Sequence, residues 1–192
     1  MSRKQCTRVG MGTTLSIKRT TFKFCILGDG GVGKTTLIRR YLSGSYLGDT
    51  KMTIGVDFHT HKITHEDRLI VFQIWDLSGQ QRFQQMRVFE SYVHGSHAIM
   101  IAVDLSQIDT FERLPTWLEL TKKAESTHPL LILVGTKKDL EREVDQKLLD
   151  DWAREHEFFS CFETSAKTGE NVNELFDQVT SELLSKWARS TS

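Results

Sequence analysis

Proline is almost missing from this 192-residue chain, which holds two, and cysteine is sparse at three. So little proline excludes a proline-rich spacer, and no low-complexity segment or internal repeat is present either. The cysteines, Cys6, Cys25 and Cys161, are odd in number and follow no metal-ligand spacing, which argues against a disulfide scaffold. Cys25 lies within an apolar run and Cys161 beside another, so both read as reduced, packed thiols. No apolar stretch reaches the length of a signal segment or a membrane span. The chain therefore reads as intracellular: cytoplasmic, or peripheral on membranes through a partner or its basic leader. Excess charge is missing too. With 25 basic and 25 acidic residues the formal net charge is zero, and no nucleic-acid partner is expected.

The charge that exists is unevenly placed. Arg3, Lys4, Arg8, Lys18 and Arg19 all precede the first acidic residue, Asp29. Residues 1–20 read as a basic, disordered leader, with weak attachment to anionic lipid or an acidic partner as the alternative. The rest is long enough for one domain with a sizeable core, expected over 21–188, with 189–192 as a short tail.

Extended and helical patterns alternate along that domain. Strands are expected at 21–27, about 54–64, 68–75, 97–105, 129–136 and across "FFSCFETS". Helices are expected at 34–43, within "RFQQMRVFESYV", around Trp117, at 145–157 and at 171–188. The runs "HAIMIAVDL" and "PLLILVGT" are continuously apolar, as strands covered on both faces should be. Such alternation predicts an α/β fold, a mostly parallel sheet with helices on both faces and one antiparallel edge from the 54–64/68–75 hairpin.

Four short motifs end strands in this scheme. The first is "GDGGVGKTT", Gly28 to Thr36. Gly28-x-x-x-x-Gly33-Lys34-Thr35, placed between strand and helix, fits a phosphate-binding loop. Its glycines let backbone N–H groups turn inward on an anion, and the next helix points its positive end there. Lys34 can reach terminal phosphates and the Thr35 hydroxyl can ligate magnesium. In "WDLSGQ", Asp76 can hold magnesium through water, Gly79 brings a bare backbone N–H to a terminal phosphate, and Gln80 can orient a water. In "TKKD", the Asp139 carboxylate can accept both N–H groups on the edge of guanine and would repel adenine. In "ETSAK", small Ala166 lets a backbone N–H reach the guanine carbonyl.

On these motifs the chain resembles the Ras superfamily of small GTPases over about residues 21–188. "TIGVDF" (53–58) and "QIWD" (73–76) make it most similar to the Rab branch. The resemblance implies a six-stranded sheet with five helices, binding of GTP/GDP with Mg²⁺, and slow hydrolysis of GTP in a molecular switch. Gly30, Gly31, Val32, Gly33 and Lys34 would wrap the β- and γ-phosphates, with Thr36 near the α-phosphate. Thr53 would join Thr35 on the metal in the triphosphate state, with Asp76 reaching it through water. Gln80, Lys34 and Thr53 would carry catalysis. Tyr46 would lie against the base and Lys137 on it, with Thr136, Ser165 and Lys167 belonging to the same base-binding motifs. Ile54, Val56, Phe58 and Trp75 would form an exposed effector patch, the alternative being that Phe58, Trp75 or both simply pack in the hairpin. Regulation of membrane traffic or signalling, an exchange factor, a GTPase-activating protein and a monomeric state are expected with it.

Departures from that pattern bear on partners rather than nucleotide. Thr136 stands where most members carry asparagine, although Rho-type members also use threonine. Leu77-Ser78 replaces Thr-Ala, Gln81 replaces a glutamate, and the second switch segment is two residues longer than in typical Rabs. "KWARSTS" carries no prenylation cysteine, and Met11 is an alternative first residue. Two rival readings remain at this level. One is a nucleotide-binding adaptor that does not turn over, against which Lys34, Thr35, Thr53, Asp76 and Gln80 argue. The other is a small kinase, which would need an arginine-rich lid that is not visible. No arginine finger is evident in cis. His59, His61 and His65 read as exposed hairpin histidines, with a metal on His59 and His61 as the lesser alternative.

Overall fold

The computed structural model describes residues 18–46, 48, 52–65, 68–80, 88–124 and 128–190. The leader as far as residue 17, with Cys6 and Met11, the stretch 81–87 with Gln81, and residues 191–192 lie outside that description. Six strands form one sheet: β1 (Lys18–Gly28), β2 (Val56–His65), β3 (Arg68–Leu77), β4 (Ala98–Asp104), β5 (Leu130–Thr136) and β6 (Ser160–Glu163). Their order is β2-β3-β1-β4-β5-β6. Every pairing is parallel except β2 with β3, which runs antiparallel from Val56↔Leu77 to His65↔Arg68. The helices are α1 (Lys34–Ser43), α2 (Val88–Val93), α3 (Ile108–Glu112), α4 (Leu114–Ala124), α5 (Gln146–Glu155) and α6 (Val172–Ser190). Only Arg113 separates α3 from α4 and its backbone stays right-handed, so the two form one interrupted helix and the described residues make five helical bodies, the number expected.

The unbroken apolar runs of the central strands are two interleaved period-2 patterns. Phe22, Phe24 and Ile26 of β1, with Met100 of β4 and Ile132 and Val134 of β5, face one core with α1 and α6. Cys25, Leu27, Ile99, Ile101 and Leu133 face the other, under α2, α4 and α5. Each fully buried large side chain contributes about 1.5–3 kcal/mol, and Trp117, Phe24, Phe72, Phe89 and Phe176 are the bulkiest. Cys25 and Cys161 are free thiols. Burial is the main cause that raises Cys25 to about 11 and Cys161 to about 12, so both stay protonated.

Because the five parallel strands share a direction, their C-terminal ends meet at one rim: Gly28, Leu77, Asp104, Thr136 and Glu163. Strand order reverses beside β1, and that break is where open α/β sheets place ligands. Among the described residues, no helix is long and apolar enough to cross a membrane.

Candidate nucleotide site

At the end of β1 the chain must turn without a side chain. Gly28 has φ +136°, and a Cβ there would meet the Ala102 carbonyl oxygen at 2.3 Å. Gly31 and Gly33 also have positive φ, +80° and +97°, which glycine adopts at little cost. Gly33 precedes α1 as its N-cap with no side-chain capping bond, and the first turn of α1 carries no acid. A helix start with neither a side-chain cap nor an acid is electrostatically suited to an external anion. Val32 is buried, so it contributes backbone rather than side chain.

Lys34 is only 6 % exposed. Its Nζ donates to the Gly28 and Asp29 carbonyls, both at 2.7 Å. Burial lowers its ammonium from the usual 10.5 to about 8, against the opposing pull of Asp76 and Asp29. Beside it, the Thr35 hydroxyl lies 2.6 Å from that of Thr53 and donates to Asp76 Oδ2. Asp76 is fully buried, with Oδ1 lacking a hydrogen-bond partner. Burial, the largest influence, raises its pKa, while the Thr35 bond and Lys34 act the other way. Three oxygen-bearing side chains thus meet at one buried corner.

Gly79 abuts the phosphate loop. A Cβ there would lie 2.2 Å from the Asp29 carbonyl carbon, 2.3 Å from the Gly30 nitrogen and 2.4 Å from the Gly28 oxygen. Gln80 follows, its side-chain amide 2.9 Å from the Met52 sulfur. A cavity of about 500 Å³ opens here, lined by Gly30, Gly31, Gly33, Lys34, Thr35, Thr36, Thr53 and Gly79. Tyr46 and Lys137 border it as well as a second cavity of about 200 Å³. That second cavity is lined by Thr136, Asp139, Leu140, Ala166 and Lys167. Through those shared residues the two make one cleft.

In the smaller cavity some residues face the space and others position them. Ser165 is buried and its Oγ donates to Asp139 Oδ1 at 2.6 Å, fixing the carboxylate. Lys167 Nζ sits 3.9 Å from Asp139 Oδ2. The Thr136 hydroxyl is within hydrogen-bonding reach of the Val32 carbonyl (2.5 Å) and the Val103 carbonyl (2.9 Å). It ties the phosphate loop to β4, a task for which a hydroxyl suffices. Lys137 has a left-handed φ of 57° and its ammonium lies 2.6 Å from Asp104 Oδ2. Asp104 was not singled out from sequence, although it ends an apolar strand just as Asp76 does; that position was the available signal.

The hairpin face departs from expectation. Ile54 is 80 % and Phe58 48 % exposed, but Val56 and Trp75 are half-buried and pack on the core beneath α2 and α4. The Phe58 ring meets Trp75 edge-on at 5.4 Å, Tyr92 of α2 lies 5.8 Å beyond, and Lys23 Nζ stands 4.6 Å over the Trp75 ring. Trp75 is therefore the middle of an aromatic ladder, and the protruding apolar groups are Ile54 and Phe58. His61 packs against Tyr41 at 5.0 Å and Phe72 at 6.5 Å. Among the described residues no three His, Cys, Asp or Glu side chains cluster as a metal site.

A glycine loop between the first strand and first helix of a doubly wound sheet, with a buried lysine at its end, defines a phosphate-loop nucleotide-binding protein. Comparison with known sequences narrows that class. The profile described as Ras family matches residues 23–185. Ras-related protein RABG3f of Arabidopsis thaliana is 37% identical over 177 residues, covering 88% of this chain and 85% of the relative. Ras-related protein Rab7 of Pisum sativum is 36% identical over 177 residues, with the same shares of 88% and 85%. Ras-related protein Rab-19 of Mus musculus is 34% identical over 168 residues, covering 86% of this chain and 76% of the relative. The chain belongs to the Ras family, in its Rab branch. It is a small GTPase that binds guanine nucleotide and hydrolyses GTP to GDP.

Proposed function

We propose that this protein is a Mg²⁺-dependent switch that exchanges GDP for GTP, hydrolyses GTP slowly, and engages effectors of membrane traffic in the GTP state. The observation that supports this most is the convergence of four separated motifs on one cleft. The phosphates lie along Gly30 to Thr36, with Lys34 as the buried charge. The base lies between Tyr46 and Lys137, read by Asp139 and the Ala166 backbone, with Ser165 orienting Asp139.

The Thr35, Thr53 and Asp76 corner suits magnesium, since Asp76 offers an unpartnered buried carboxylate oxygen beside two hydroxyls and magnesium prefers oxygen ligands. Thr35, Thr53 and Asp76 would hold the ion there, and when bound it would supply positive charge against the negative charge of the phosphates. No arginine lines the phosphate-side cavity among the described residues. Intrinsic turnover is then on the order of 10⁻³ s⁻¹ or less, and an activating partner raises it. The nucleotide-binding domain, acting as a monomer, runs from β1 at Lys18 to the end of α6 at Ser190, slightly beyond the expected 21–188. Ile54 and Phe58 offer the effector its apolar contact, backed by Val56 and Trp75. Peripheral membrane attachment comes through a partner or the leader.

The nucleotide that co-purifies tests the base reading: GDP or GTP supports it, and ATP overturns it. Gln80→Leu should retain GTP but slow single-turnover phosphate release by roughly tenfold or more, because the attacking water loses its orienting group. Unchanged release would remove Gln80 from catalysis.

Lys34 adds a pH dependence. In the free protein its charged form is disfavoured and its pKa is about 8, whereas a bound phosphate favours the ammonium and raises that pKa. Binding should therefore take up a proton increasingly between pH 7.5 and 8.5, and affinity should fall as pH rises through about 8. Calorimetric titration in two buffers of different ionisation enthalpy measures the uptake. A value that stays flat over this range would place the phosphates away from Lys34.

A further inference from the structure

The second residue of the phosphate loop is acidic, and nothing in the proposed chemistry explains it. Asp29 does not itself line the cavity that would hold the phosphates, but it is bonded directly to Gly30, which does. A free carboxylate there would repel any polyphosphate. In the structure both of its oxygens are engaged by the interrupted helix α3–α4. Trp117 Nε1 donates to Oδ1 at 2.8 Å. Arg113 Nε lies 3.0 Å from Oδ2, an ionic contact rather than an aligned hydrogen bond.

Arg113 and Trp117 are four residues apart and so share a helix face. Trp117 is 1 % exposed, and its indole N–H is the ring's one polar group, costly to bury without an acceptor. The contact therefore satisfies the tryptophan while it neutralises the aspartate. The same residue is gripped from two more sides. Its carbonyl accepts from Lys34, and its backbone packs against Gly79.

We infer that Arg113 and Trp117 are positioning residues for nucleotide binding: they turn the Asp29 carboxylate away from the phosphates, cancel its charge and hold the entry of the glycine loop in place. The claim rests on the reading of this cleft as the nucleotide site. Trp117 also stands 6.2 Å ring to ring from Phe89 of α2, so the same indole links the loop to the helix that follows residues 81–87.

A double-mutant cycle separates this role from generic packing. Dissociation of a fluorescent GDP analogue is followed from the full chain and from Arg113→Gln, Trp117→Phe, Asp29→Asn and the paired variants. Arg113→Gln should speed dissociation roughly tenfold at low salt, and the effect should shrink modestly as added salt screens this half-buried pair. In an Asp29→Asn background the same substitution should change the rate less than about twofold, because no carboxylate remains to neutralise. Trp117→Phe keeps a ring in the core and should show the same dependence on Asp29. Effects that are equal in both backgrounds and indifferent to salt would overturn the inference, as would no effect at all. A wild-type chain that binds ATP but no guanine nucleotide would instead overturn the base reading while the cycle, run with an ADP analogue, still decides the role of Arg113. A wild-type chain that binds neither overturns both.

Discussion

Gly79→Ala is expected to lose guanine-nucleotide affinity by about 100-fold or more while the fold survives. The reason is collision, not conformation. The new methyl would lie 2.2 to 2.4 Å from three backbone atoms of Gly28, Asp29 and Gly30. No rotamer change relieves such contacts, because every partner is main chain. The end of β3 and the phosphate loop must then part by roughly 1 Å, and misplacement of that size costs about 10²-fold in a preorganised site. Gly30 is the control, since a Cβ there meets nothing within 4 Å and its φ is not left-handed. Gly30→Ala should keep affinity within a few-fold. Gly31→Ala has equally open space but φ +80°, so it should cost about 1 kcal/mol of backbone strain. Equilibrium titration with labelled GDP and a thermal melt rank the three. A Gly79→Ala protein that binds like wild type would mean that β3 and the loop separate freely, and that their contact transmits nothing.

That contact bears on how the switch works. Thr53 belongs to one segment and Asp76 and Gly79 to another, yet Thr53 and Asp76 both bond Thr35 while Gly79 presses on the loop just before it. A γ-phosphate arriving in the cleft thus meets loops already in register with the glycine turn. Small shifts at such packed points become discrete rearrangements, because dense contacts do not deform gradually.

Much of this was legible in linear sequence, for identifiable reasons. β4 and β5 are covered on both faces, so every residue from Ala98 to Val103 is apolar and the strands declare themselves. The four motifs were legible because each packs its chemistry into a few consecutive residues. Non-local features were not. β1 begins at Lys18 rather than at residue 21, because Lys18, Arg19 and Thr20 pair with Arg68, Leu69 and Ile70, and polar residues on a pairing edge leave no apolar trace. The helix around Trp117 is broken at Arg113, two residues before Pro115, which sits in the first turn of α4, where a proline is accepted. Trp75 is expected in the exposed patch, but the Phe58 ring, Tyr92 of α2 and the core beneath α2 and α4 cover part of it. Within the site, Asp104 against Lys137 and Ser165 against Asp139 are pairings between strand ends far apart in the chain. No spacing rule finds them.

Asp139→Asn should weaken GTP binding on the order of 10³-fold and erase the preference for GTP over ITP. Ser165 fixes the outcome. Its hydroxyl donates to Oδ1 of Asp139 at 2.6 Å, because a carboxylate only accepts. In the asparagine variant the amide oxygen keeps that bond, which turns the amide NH₂ toward the base. Guanine presents N–H donors at N1 and N2, so two accepted hydrogen bonds become a donor facing donors in a desolvated pocket. Such mismatches cost far more than a bond merely lost. Inosine retains the N1 proton and the carbonyl but lacks the 2-amino group. Wild type should therefore favour GTP over ITP, and the variant should bind both weakly and alike. Asparagine matches aspartate in shape, so the melting temperature of the nucleotide-free protein should stay nearly constant, which separates a base-reading defect from a folding one. Competition of GTP, ITP and ATP against labelled GDP measures all of this at once. Retained GTP preference in the variant would show that Asp139 does not read the base, and guanine specificity would then have to come from the backbone beside Ala166.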